Sequence, residues 1–146
     1  MIEKLSGQYT YGEPYPDNMK GTSVPFEIEW SLIDGIISGT CVDDKGKEVF
    51  NEPATINGFV DEGIISFIKK YPKYWEIDED GVSRVFDHLP PPEIHYSGVL
   101  VDNHFEGDWE MIATYILENG EIEQLDCTGT WTLYRNDLKT SKTLVF

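Results

Sequence analysis

Basic residues are scarce in this chain: 11 Lys and Arg stand against 27 Asp and Glu in 146 residues, a formal charge of −16. A field of that sign repels nucleic acid phosphates and anionic lipid headgroups, which argues against both as partners. The simplest use of the charge is a solvated, aggregation-resistant surface, with a cationic partner as the alternative. Cysteine is scarce too. Cys41 and Cys127 are too few for a disulfide framework and lack C-x-x-C spacing, so they are expected as reduced, half-buried strand residues. No apolar run is long enough to span a bilayer, and MIEKLSGQYT has no apolar stretch behind a basic head; the expectation is a soluble, cytoplasmic protein.

Reactive motifs are also missing. There is no G-x-S-x-G elbow, and DEDG at Asp78 to Gly81 lacks the alternating carboxylates of a calcium loop. His88, His95 and His104 have no metal-binding spacing, and DDKGK at Asp43 to Lys47 is no phosphate loop. These acids are expected simply to form turns, and no metal, cofactor or catalytic residue is assigned.

What the chain does have is regular punctuation. Turn formers recur as IDG at Ile33 to Gly35, DDKG at Asp43 to Gly46, DEG at Asp61 to Gly63, DEDG, DN at Asp102 and Asn103, and ENG at Glu118 to Gly120. Asp and Asn tolerate left-handed backbone and Gly adopts it freely, so these read as hairpin turns. The intervening segments alternate with period two: Val24, Phe26, Ile28, Trp30 and Leu32 share one face, and Glu27, Glu29 and Ser31 the other. The length of Asp108 to Glu118 also suits a short helix, but its β-branched and aromatic residues favour a strand.

Strands are accordingly expected at Ser6 to Tyr11, Thr22 to Ile33, Ile36 to Val42, Ala54 to Asp61, Gly63 to Tyr71, Tyr74 to Ile77, Glu93 to Val101, Phe105 to Leu117 and Ile122 to Arg135. Short connections make sequential strands antiparallel neighbours, and closure of the sheet removes its two edges. The fold class is therefore all-β: a single antiparallel up-and-down barrel of about eight to ten strands, one domain over residues 1–146. Two segments interrupt the meander. YGEPYPDNMKG at Tyr11 to Gly21 reads as a long loop across a barrel mouth, and FDHLPPPEI at Phe86 to Ile94 as a stiff extended crossing.

Three strands share an ending: IISGTCVDD from Ile36, TINGFVDEG from Thr55, and SGVLVDN from Ser97. Glycine inside a strand permits strong coiling or close packing, and the Val-Asp ends the strand in a turn. Glycine also precedes an aromatic by two residues in Gly7-Gln8-Tyr9, Gly107-x-Trp109 and Gly129-x-Trp131. This pattern resembles the calycin superfamily, which includes lipocalins, fatty-acid-binding proteins and avidins. Tyr9 stands where lipocalins carry the first-strand tryptophan, and Arg135 is a candidate for their late basic partner. The resemblance implies a small apolar or amphipathic ligand inside the barrel.

The chain's 19 aromatic residues include several at alternating positions. Trp30, Phe67, Tyr96, Trp109 and Trp131 are candidate cavity walls, or alternatively the filling of a closed core. Lys69 and Arg135 fall on apolar faces and are candidate anchors for a ligand carboxylate; the alternative is that each snorkels to solvent. If Asp102 and Asn103 form a two-residue turn, His95 faces Glu110 across the hairpin. Three functions follow in order: noncatalytic binding of a small hydrophobic or amphipathic molecule, a filled barrel acting as a structural or protein-interaction module, and a barrel enzyme using His95 with Glu110 or Asp108.

Overall fold

The computed structural model describes residues 2–77, 82–87 and 89–135. The DEDG turn and His88 lie outside the described residues. Among the described residues there are ten strands: β1 Ile2–Tyr11, β2 Ser23–Ile33, β3 Ile36–Asp43, β4 Ala54–Asp61, β5 Ile64–Lys70, β6 Tyr74–Ile77, β7 Ser83–Phe86, β8 Ile94–Val101, β9 His104–Ile116 and β10 Ile122–Arg135. A short helix, α1 Asp44–Val49, follows β3.

Eight strands close into an antiparallel barrel in the order β1-β2-β3-β4-β5-β8-β9-β10, and β10 pairs back to β1. The fold is all-β, a closed antiparallel barrel of eight strands. The segment Asp108 to Glu118 is strand through Ile116, not helix, and its full pairing with β10 accounts for the choice. Two departures from the expected meander have physical causes. Tyr74–Ile77 pairs with β7 in a separate two-stranded sheet, so β5 pairs directly with β8. DDKG is the start of α1 instead of a tight turn: the Asp43 side chain accepts from the Gly46 N–H at 2.6 Å, an N-cap bond that starts the helix. β1 begins four residues earlier than the apolar pattern suggests, because Ile2 to Lys4 continue its pairing with β2, with Glu3 opposite Trp30, and Leu5 pairs with both β2 and β10.

The barrel's two ends differ. At one, β2–β3, β4–β5 and β8–β9 are joined by two-residue loops. Asp34 and Gly35 have φ of 51° and 80°, and Glu62 and Gly63 of 49° and 80°, the left-handed pair that matches strand twist in tight hairpins. This end is filled by Leu5, Ile28, Trp30, Ile37, Ile56, Ile65, Phe105 and Leu133, all at most 2% exposed. At the other end lie residues 12–22, α1, the β6–β7 hairpin and the β9–β10 loop, none of them a two-residue turn.

The two later Gly-x-Trp motifs interlock. Gly129 pairs with Trp109 and Gly107 with Trp131, so each motif places its glycine opposite the other's indole. Trp109 Nε1 donates to Thr10 O at 3.1 Å, and Trp131 Nε1 donates to Asp108 O and Ser97 O at 3.0 and 3.1 Å. A Cβ on Gly129 would stand 2.0 Å from Thr10 O and 2.4 Å from Trp109 Nε1. Gly129→Val is expected to destabilise the protein by about 3 kcal/mol or more through overpacking against backbone, read as a lower midpoint in urea unfolding.

Candidate functional site

Period-two alternation carries Ile37, Gly39, Cys41 and Asp43 along the inner face of β3, and Ile65, Phe67 and Lys69 along that of β5. Two charged side chains are thereby brought inside an apolar barrel. Asp43 is 2% exposed and Lys69 0%. Lys69 Nζ donates to Asp43 Oδ2 at 2.5 Å, and the Tyr71 hydroxyl donates to the same oxygen at 2.6 Å. With Gly46 N–H on Oδ1, the carboxylate accepts three bonds. The Lys69 ammonium also lies 4.9 Å from the Tyr9 ring centroid and 4.7 Å from that of Tyr71, where the π faces help to solvate it.

The electrostatics follow from this geometry. Burial alone would raise the Asp43 carboxyl, but the Lys69 charge, its hydrogen bond and those of Tyr71 and Gly46 hold it below the ordinary carboxylate range. Burial opposes the Lys69 ammonium, yet Cys41, Tyr96, Asp43 and Tyr9 together keep its pKa well above the usual lysine value. Near neutral pH, Cys41, pushed up to about 11 by burial, is an uncharged thiol, and burial keeps Tyr96 an uncharged phenol. The proton on Lys69 is therefore held by Asp43.

Beside this pair, towards the long loops, is a cavity of about 240 Å³. Its deep wall consists of Tyr9, Tyr71, Tyr96 and Trp109, and its sides include Ile94, Met111, Ala113 and Cys127. Over it lie Pro14, Tyr15, Pro16 and Met19 of the first long loop, Trp75 of β6, and Pro92. That loop is tied to β10 by Gly12 N–H to Thr128 O at 2.8 Å and Thr128 N–H to Glu13 O at 2.7 Å. Tyr15 packs on Tyr11 and Trp109, at 4.7 and 6.2 Å between centroids. The β6–β7 hairpin is docked by the Tyr74 hydroxyl donating to Thr114 O at 2.8 Å and by Trp75 edge-on to Tyr71.

Among the residues singled out in the sequence, Tyr96 and Trp109 line this cavity. Phe67 stacks on Tyr96 at 4.7 Å, and Trp131 meets both rings edge-on in the packed middle of the barrel. Trp30 is at the filled end, where its Nε1 donates to Glu3 Oε1 at 3.0 Å. Arg135 is at that end too: its guanidinium lies over Phe105, and Nε is 2.9 Å from Glu3 Oε2. That pair is close in distance only, since the Nε–H finds no acceptor at hydrogen-bonding angle among the described residues. Lys69 is under the cavity's aromatic wall with its charge given to Asp43. His95 does face Glu110 in the β8–β9 register, but on the outside of the barrel, with its Nε2 3.6 Å from Glu93.

Asp43 is the residue that the sequence conceals. As a turn former it looks ordinary; counted along β3 it shares the inner face with Ile37 and Cys41, and that parity is the available signal. Tyr9, Tyr11, Tyr15 and Tyr71 are likewise visible in the sequence only as aromatics, because the cavity gathers them from β1, a loop and the end of β5.

No family model and no curated protein matches this chain. Among solved structures, it is similar to the crystal structure of rhizavidin, with 17% sequence identity, a TM-score of 0.44, and coverage of 88% of this chain and 81% of that one. At that identity the site residues are assigned from this chain's own geometry.

The ion pair makes two predictions. Asp43→Asn strands a buried ammonium and is expected to cost about 3–5 kcal/mol, whereas Asp43→Asn with Lys69→Met recovers much of that loss in urea unfolding. The carboxyl's depressed pKa contributes stability that is present above about pH 4 and lost as pH falls through the folded value. The raised lysine acts in the opposite sense, its contribution present below about pH 10 and lost as pH rises past the folded value. Unfolding midpoints measured from about pH 2 to 6 are expected to fall on the acid side in the parent and to fall less in the double variant.

Proposed function

We propose that this protein binds a small hydrophobic or amphipathic molecule in the wide end of its barrel, without catalysis. The observation that carries the reading is the cavity of about 240 Å³, walled by aromatic and aliphatic side chains at the end where the long loops gather. Pockets for drug-sized ligands run to roughly 300–1,000 Å³, and a cavity of about 150 Å³ holds benzene. The expected ligand is therefore the size of one or two fused rings. Barrels of eight strands have room for filling side chains or one small ligand, and this one divides its length between the two.

The filled-module reading fits the Leu5 to Leu133 end but leaves the aromatic cavity without a use. The enzyme reading has His95 outside the barrel, facing solvent and two glutamates. Candidate binding residues are Tyr9, Tyr71, Tyr96 and Trp109 on the deep wall, with Tyr11, Tyr15 and Trp75 nearer the mouth.

Prodan, an uncharged naphthalene ketone whose emission shifts on leaving water, is expected to bind saturably with a Kd on the order of micromolar, about −8 kcal/mol. Ala113→Phe, which fills the cavity from its side, is expected to weaken binding at least about tenfold while the melting temperature stays within a few degrees. Non-saturable binding by the parent, or equal binding by the filled variant, would overturn the proposal.

A further inference from the structure

The cavity's polar equipment is unusual in kind. Among the described residues that line it there is no acid, lysine, arginine or histidine. The polar atoms at its deep end are phenols. Tyr71 donates its proton to Asp43 and is committed. Tyr9 and Tyr96 are 5% and 2% exposed, and among the described residues neither hydroxyl has a hydrogen-bond partner. Neither is sealed away from water, and both residues line the cavity, so both hydroxyls open on it. A ligand that displaces water from these donors without accepting from them leaves them unmet at a cost of about 1–3 kcal/mol, and a ligand atom that accepts avoids that cost.

We propose that the site selects an uncharged, planar ligand whose hydrogen-bond acceptor, a ketone or ester carbonyl in chemical class, is held at the deep end by the hydroxyls of Tyr9 and Tyr96. This rests on the cavity-binding reading above and names the ligand class for it. The structure excludes the two charged classes on separate grounds. A ligand carboxylate finds no free cation among the described residues lining the cavity: Lys69, behind the rings of Tyr9 and Tyr71, is bonded to Asp43. It would also enter the field of a chain of charge −16 with only phenols to replace its water. A ligand ammonium would seek the aromatic faces, but those of Tyr9 and Tyr71 already hold the Lys69 ammonium, and a second cation meets like charge.

Donor character is secure near neutral pH. Burial raises the ionisation of both phenols, so each keeps its O–H. Planarity follows from the walls. The rings of Tyr11, Tyr15 and Trp109 meet one another within 6.3 Å between centroids, which leaves flat aromatic surfaces for a ligand ring to stack on.

The test uses four naphthalenes of one shape titrated into the full chain: 2-acetylnaphthalene, 2-isopropylnaphthalene, 2-naphthoate and 2-naphthyltrimethylammonium. Quenching of intrinsic tryptophan fluorescence reports binding, and Prodan displacement confirms the site. The ketone is expected to bind tightest, the hydrocarbon about threefold to tenfold more weakly, and the two ions weaker than the ketone by at least about tenfold. Tyr9→Phe and Tyr96→Phe keep the rings, and each is expected to weaken the ketone about threefold to tenfold while leaving the hydrocarbon unchanged. Tightest binding by the naphthoate or the ammonium overturns the ligand class but leaves cavity binding standing. The ligand class also falls if the ketone is no tighter than the hydrocarbon, or if both Phe variants leave its affinity unchanged. Failure of all four, together with failure of Prodan, overturns the cavity-binding reading itself and this inference with it.

Discussion

Pairing of β1 with β10 is the constraint on which the rest of this structure depends. From Leu5 with Arg135 to Tyr11 with Gly129, it turns a sheet with two edges into a ring with none. Once the ring is closed, every strand has one face in and one face out, and a one-residue slip anywhere would exchange them. Closure therefore decides by parity which side chains share an interior. It puts Glu27 and Glu29 outside and Phe26, Ile28 and Trp30 inside, so the acidic surface and the apolar core come from the same rule.

The rule is indifferent to charge, and at Asp43 and Lys69 it carries an acid and a base indoors. Either alone would be prohibitively costly there. Together, with Tyr71 and the N–H of Gly46, they form a satisfied cluster that does three structural jobs: it neutralises β5's inward lysine, caps α1, and orients Tyr71 at the floor of the cavity. Replacing such a pair by apolar residues is often near neutral for stability. Its distinctive contribution here is positional, since it joins the end of β3 to the end of β5 and so sets the level at which packing stops and the cavity begins.

Much of this barrel is legible in the amino-acid order. Alternation along Val24 to Leu32 and the turn pairs Asp34-Gly35 and Glu62-Gly63 are local signals, and local physics decides them. The pairing of His95 with Glu110 can be counted from one two-residue turn. What cannot be counted is contact across the barrel. Whether Trp30 lines a void or fills one depends on rings from other strands meeting it, and nothing within its own strand records that. DDKG hides a capped helix because an Asp that caps a helix and an Asp that starts a turn look alike in sequence; only the burial of Asp43 distinguishes them. Strand character is plain in Tyr74–Ile77, but nothing marks its β7 partner, and without that partner its exclusion from the barrel is invisible.

Connection length sets the difference between the barrel's two ends. Tight hairpins hold strand ends close and leave their end to be sealed by side chains, which Trp30, Phe105 and Leu133 do beneath Arg135. Longer connections at the other end release β1, β5 and β10 to different lengths, and the space among them is roofed by loops instead of filled by the core. Loops tolerate sequence change better than barrel strands, because fewer buried contacts depend on them. In the proposed binding role, a phenol-bearing floor beneath a roof of Tyr15, Met19 and Trp75 would separate two tasks: the barrel strands would fix the polar contacts a ligand must satisfy, and the loops and the β6–β7 hairpin the shape and size of what can reach them.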